Sequence, residues 1–265
     1  MNAPRLLFLL GIVLFVTTAA EDALAASRTA FLPDGIDAGT LRSGTSPDDA
    51  HPHGTLFGLG SFKGELYISE WDVERAVVVR RVRLGIPDKA GMSLTSGRGP
   101  DRFYVGIHGA KNALLVFDGA LHPLFSRELP PGDIDEIRAE GNVLAVTSNL
   151  HDNHIQLTSI DPTTYADLAN VVLDPHFFVW PGDDEMAPCR PRGALRISGG
   201  AIYIRTHCFA DQTRLFALRP DGHPTTVGNT MTSPAAWNDA TLQLHGLTIV
   251  LPTQPYFQRP RITWR

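Results

Sequence analysis

The chain has 265 residues, 23 Lys and Arg against 28 Asp and Glu, and a formal net charge of −5. No basic cluster stands out of this mildly acidic background, which argues against nucleic acid or an anionic membrane surface as a partner. With 24 Gly and 20 Pro spread along the sequence, the composition is that of many short strands joined by tight turns.

The first residues read as a secretory signal. A short basic start through Arg5 precedes the apolar run Leu6 to Val16, which is too short to span a bilayer comfortably. The segment ends in Ala23-Leu24-Ala25, an A-x-A cleavage pattern. Residues 1–25 are therefore expected to be removed, and residues 26–265 to form one domain in the periplasm or outside the cell. About 240 residues suffice for a sizeable core. No later segment is long and apolar enough to cross a membrane.

Five β-rich units follow. The first runs from His53 to Leu84, with Thr55 to Leu59 as its inner strand, then Glu65 to Ser69 and Arg75 to Leu84. The last of these is β-branched and ends in alternation, the pattern of a strand. The second unit, Met92 to Leu129, has its clearest strands at Arg102 to Val105 and Ala113 to Phe117, and Asp118-Gly119 supplies a turn. The third, Ile134 to Leu173, holds strands at Ile134 to Ala139, Val143 to Thr147 and His154 to Ile160. Within it, Thr163 to Val171 is the best candidate for a short helix.

An insertion covers residues 174–191 and is rich in proline and aromatics. The fourth unit, Ala194 to Val227, has strands at Ala201 to Thr206 and Arg214 to Leu218. The fifth, Ala235 to Arg265, is the least regular and lacks an outer strand, which Arg28 to Leu32 can supply.

One short pattern recurs through these units: Leu66-Tyr67-Ile68-Ser69, Phe103-Tyr104-Val105-Gly106, Val143-Leu144-Ala145-Val146, Ile202-Tyr203-Ile204-Arg205 and Thr248-Ile249-Val250-Leu251. A period of roughly forty residues marks blades or arrays. The match is sharpest between Pro52-His53-Gly54-Thr55-Leu56 and Pro191-Arg192-Gly193-Ala194-Leu195. The expected fold class is all-β: a β-propeller of about five four-stranded blades, with the N-terminal strand closing the last blade. A β-sandwich or an open β-solenoid would share many of the same strands.

Cys189 and Cys208 are the only cysteines. An even count in an exported chain favours one disulfide, closing a loop of about twenty residues and contributing about 3 kcal/mol.

In a propeller, the loops entering each inner strand share one face with those joining its second and third strands. Entering loops bring His53, Asp133 or Asp135, and Arg192 to that face. Second-to-third loops bring Trp71, His108, Asn149 beside Ser148, His151, His207 and Thr253. Imidazole acts as base, acid or metal ligand near neutral pH, so His53, His108 and His207 are the catalytic candidates. Arg192 can clamp a carboxylate or phosphate with two parallel hydrogen bonds. With it, Asp135, Asn149, His151 and Trp71 are the ligand-binding candidates. Asp152-Asn153 between His151 and His154 is a good turn pair, so a plain hairpin tip also accounts for His151. No cofactor motif is present, and neither a phosphate loop, a dinucleotide fingerprint nor a G-x-S-x-G elbow occurs. A divalent metal ion held by several imidazoles is conceivable, without local HExxH spacing to support it.

At His51-Pro52-His53-Gly54 the chain resembles the exported propeller group of lactonase-type, YVTN-repeat and SMP-30-like proteins, where Pro-His-Gly opens an inner strand. Val143 to Asn149, running on to Ile155 to Asp161, is also similar to a repeat of that group. The resemblance covers about a fifth of the chain and implies the architecture, with His53 at the mouth of a central channel. Two functions stay open. One is a module that binds a small molecule, carbohydrate or protein partner through its central mouth. The other is a lactonase-like hydrolase or lyase using the histidines, with or without a metal ion.

Overall fold

The structure is a computed structural model. It describes residues 28–31, 36–37, 40–44, 50, 54–89, 93–99, 101–150, 154–173, 190–207, 213–223, 241–244, 247–250 and 261–264. Among these the regular structure is entirely β. None of the described residues forms a helix long and apolar enough to cross a membrane. The proposed signal segment and both cysteines lie outside the described residues.

Strand β1 is Arg28–Phe31. The first sheet runs β2 (Arg42–Ser43), β3 (Leu56–Phe62), β4 (Glu65–Asp72), β5 (Val77–Pro87). The second runs β6 (Ser93–Arg98), β7 (Arg102–His108), β8 (Asn112–Asp118), β9 (Pro123–Leu129). The third runs β10 (Asp133–Glu140), β11 (Val143–Asn149), β12 (Ile155–Ile160), β13 (Asp167–Leu173). Three strands of the fourth are described: β14 (Arg190–Ser198), β15 (Ala201–His207), β16 (Thr213–Leu218). The fifth comprises β17 (Thr241–Leu244), β18 (Leu247–Val250) and β19 (Arg261–Trp264), with β1 paired antiparallel to β19 so that Arg28 faces Trp264.

All described strand pairs are antiparallel, and all but β1–β19 join consecutive strands; the first strands of neighbouring sheets lie side by side: β17 against β2, β2 against β6, β6 against β10, β10 against β14. These antiparallel sheets resemble the blades of a β-propeller. Alternate residues of each blade pack into the wedge shared with the next. Phe57, Ile68, Phe103 and Phe117 fill the first wedge, Tyr104, Val116, Ile137 and Val146 the second, and Leu157, Leu195, Ile204 and Leu218 the third. Between the second and third sheets, glycines allow the closest approach. A Cβ on Gly97 would sit 2.8 Å from the Ile137 carbonyl oxygen.

Three expectations need correction. Thr55 to Leu59 belongs to the second strand of the first sheet, because Arg42–Ser43 pairs on its inner side. That inner strand is too short and polar to show alternation. Part of its ladder is made by a side chain, with Leu59 N–H donating to Thr40 Oγ1 at 2.8 Å. The resemblance between the segments at Pro52 and Pro191 therefore joins non-equivalent strands. Second, Thr163 to Val171 is not helical. It is a turn followed by β13, whose β-branched Val171 and Val172 lie opposite Leu157 and Gln156. Third, residues 190 and 191, read as the end of the insertion, open β14.

A second periodicity emerges at the turns between third and fourth strands. Ala76, Leu121, Tyr165 and Gly222 all have positive φ, at 54°, 65°, 61° and 80°. In all four of these turns an aspartate holds the backbone: Asp72 accepts from Arg75 N–H at 3.0 Å, Asp118 from His122 N–H at 2.8 Å, Asp161 from Thr163 N–H at 2.7 Å and Asp221 from His223 N–H at 3.0 Å. These bonds are the main reason that Asp118 and Asp161 stay ionised below the usual carboxylate range. Three of the turns dock on the preceding blade. Leu121 enters the first wedge, the Tyr165 ring stacks on Phe125 at 4.3 Å, and Gly222 leaves room for Val171, which a Cβ would approach to 2.7 Å.

Candidate functional site

The polar groups of interest gather where the second and third blades meet. His108 closes β7. Its Nε2 lies 2.7 Å from Asp133 Oδ1, at the start of β10. Its Nδ1 lies 2.9 Å from Asn112 Oδ1 across the β7–β8 turn. Asn112 is 5 % exposed, and its Nδ2 donates to the carbonyls of Pro130, at 2.8 Å, and Gly132, at 2.6 Å. The linker between the blades is thus tied to the His108 ring through one buried amide.

Both alternatives at the entry to β10 are present. Asp133 serves His108. Asp135 occupies the irregularity between Ile134, which faces Ser148, and Glu136, which faces Thr147. Such a bulge re-aims the extra side chain. The Asp135 carboxylate accepts no hydrogen bond among the described residues. Its side chain reaches water yet has protein around it on most sides. That desolvation first, then the charges of Asp133 and Glu136, pushes its pKa up to about 6. Glu136 itself is committed: it accepts from Leu195 N–H at 2.7 Å and pairs with Arg138, tying β10 to β14. Asn149, exposed at the end of β11, faces Asp133 across the ladder.

His108, Asp135 and Asn149 are therefore brought to one end of the second and third blades. Arg192 and His207 have strand positions at the matching end of the fourth. Arg190 faces His207 across β14 and β15, and Arg192 lies in the stretch between Pro191 and Leu195 where that register shifts. The Glu136–Leu195 bond aligns β14 with β10. His53 and His151 lie outside the described residues.

Trp71 is a correction. It lies in β4, is 0 % exposed, and faces Leu56 at the Ser43 end of the first sheet. Arg98 Nη2 donates to Gly44 O at 3.3 Å, so this end lies level with the finish of β6. His108, in contrast, pairs with Ser93 at the start of β6. Trp71 is a core residue at the far end from His108, because the extra inner strand shifts the first sheet's frame by one. Gly54 and Thr55, which follow His53, enter β3 at that same far end.

Asn112 was missed from the sequence. The available signal was an amide four residues after a histidine, at the head of an otherwise apolar strand. Among the described residues no group of three or more His, Cys, Asp or Glu is arranged to hold a metal ion. The arrangement does offer a paired imidazole and carboxylate beside a second carboxylate that protonates near pH 6, groups suited to hydrogen bonding and proton exchange.

No protein-family profile matches the sequence, and no curated protein matches it. Among solved structures, the chain is similar to a protein of unknown function from Bacteroides caccae (12 % identity, 76 % of this chain and 61 % of that one, TM-score 0.44). It is similar to the β-propeller domain of Myceliophteria thermophila Cps50 (Swd1) (13 % identity, 84 % and 68 %, TM-score 0.46). It is also similar to the Dos1 propeller (10 % identity, 86 % and 55 %, TM-score 0.42). The chain spans less than two thirds of the first and third of these.

Proposed function

We propose that the protein is an exported, five-bladed propeller, its last blade completed by β1, that binds a small molecule, carbohydrate or protein partner at its mouth. The observation that carries this reading is the convergence of His108, Asp133, Asp135 and Asn149 at one end of the second and third blades, with the Asp135 carboxylate accepting no hydrogen bond among the described residues. Signal cleavage after Ala25, a periplasmic or secreted location and a Cys189–Cys208 disulfide belong to the same reading. The register supports the disulfide, since Arg190 and His207, each adjacent to one cysteine, face one another. A panel of monosaccharides, lactones and small organic acids, followed by amide chemical-shift mapping, tests the binding site. Shifts centred on residues 108, 133, 135 and 149, with at least tenfold weaker binding in Asp135→Ala, are expected. Shifts confined to the outer strands would refute the mouth as the site.

One observation favours a hydrolase or lyase as the second reading: Asp135 protonates near pH 6 beside an imidazole–carboxylate pair. Turnover of a lactone by the wild type, lost in Asp135→Asn, would select it. His207 and Arg192 would then contribute from the neighbouring fourth blade.

A further inference from the structure

The hydrogen bonds of Asn112 determine more than a loop. Its Nδ2 is 2.8 Å from the Pro130 carbonyl and 2.6 Å from the Gly132 carbonyl. Two carbonyl oxygens only accept, so the amide nitrogen must point to them. The amide oxygen must then face His108 Nδ1, at 2.9 Å. An oxygen acceptor in that position requires the proton on Nδ1. A free neutral imidazole has no such constraint.

We infer that Asn112 is a positioning residue that holds the proton of His108 on Nδ1 and reserves Nε2 for Asp133 and for the mouth. The inference rests on the reading of this end as the binding site. With Nδ1 committed, Nε2 and Asp133 Oδ1 sit 2.7 Å apart, a distance that two bare acceptors do not tolerate. One proton is shared across that gap, and it is the proton an incoming oxygen acceptor would meet. The surrounding charges are Asp135 and the Glu136–Arg138 pair on β10 and Lys111 in the β7–β8 turn, which pairs outward with Glu128 on β9 at 3.1 Å. Glu136 and Lys111 each have a partner of opposite charge, which leaves the excess negative charge with Asp133 and Asp135, so the ligand oxygen best suited to the donor is that of a neutral carbonyl or hydroxyl.

Nitrogen NMR of the ligand-free protein with ring-labelled histidine tests the assignment. In the wild type, Nδ1 is expected to keep the shift and coupling of a protonated nitrogen throughout the titration, and Nε2 alone to move. In Asn112→Leu the neutral ring is expected to pass mainly to the Nε2–H form. Asp133→Asn replaces a half-exposed side chain and leaves the Asn112 contacts intact, so its neutral ring should keep Nδ1–H. A wild-type neutral ring in the Nε2–H form, or a switch of tautomer in Asp133→Asn, would overturn the inference. If Asn112→Leu does not fold, the wild-type and Asp133→Asn spectra decide the matter alone. None of these measurements uses a ligand, so the tautomer can fail while binding at the mouth stands, and the reverse.

Discussion

The two ends of the inner strands handle polar groups in opposite ways. At the far end, Glu70 is 4 % exposed and accepts from Thr55 Oγ1 at 2.7 Å and Arg80 Nη2 at 2.8 Å. Arg80 also donates to Ala120 O of the next blade at 2.5 Å, while Arg42 donates to Ser96 O at 2.8 Å. These charges fasten the first blade to the second. At the proposed mouth, Asp133 keeps 55 % of its side chain exposed, and among the described residues Asp135 accepts no hydrogen bond. Charged groups at a blade junction therefore do not by themselves mark a site. What distinguishes the proposed mouth is a carboxylate, that of Asp135, which the described residues leave without a hydrogen bond.

The largest expected effect lies at the far end. Glu70→Ala leaves Arg80 without its buried partner and should cost about 3–5 kcal/mol, read from urea denaturation. A cost near that of a surface ion pair, below about 1 kcal/mol, would erase the contrast between the two ends. Next comes the proposed disulfide beside the mouth end of β14 and β15. Cys208→Ser, or reduction of the wild type, should remove about 2–4 kcal/mol, and free-thiol titration of the native protein should give none. Two titratable thiols would remove the clamp from this picture.

Asp135→Asn should have the smallest effect and the opposite sign. The folded-state pKa, about 6, is raised above the ordinary carboxylate value, so ionisation is harder in the folded state. The cost is full above about pH 6 and relieved as pH falls toward 4. Asp135→Asn should therefore stabilise the protein at pH 7–8 by about 1 kcal/mol, after allowing for screening by water, and the two proteins should converge near pH 4. Loss of stability at pH 7 would mean that Asp135 is a fastener like Glu70.

Much of the third blade was legible because Val143 to Asn149 and Ile155 to Ile160 are hydrophobic runs between polar turns. Arg42–Ser43 was not legible, since two polar residues paired partly through a threonine hydroxyl leave no pattern. That one omission displaced Trp71, and the loop after it, to the wrong end. The run Asp167–Leu173 was misread because its inward residues, Ala169, Val171 and Leu173, are interrupted by exposed Leu168 and Val172, which blur the period of two. The turn positions Ala76, Leu121, Tyr165 and Gly222 share a backbone shape but no residue type, so their repeat shows only in the dihedral angles.

Most strands and turns, and the candidacy of His108, Asp135 and Asn149, came from the amino-acid order alone, because alternation and turn chemistry are local. Which end of a blade each residue occupies depends on how many strands precede it, and which aspartate meets His108 depends on a bulge and on an amide twenty residues from the linker carbonyl it grips. Those are contacts between distant segments, and local pattern carries no information about them.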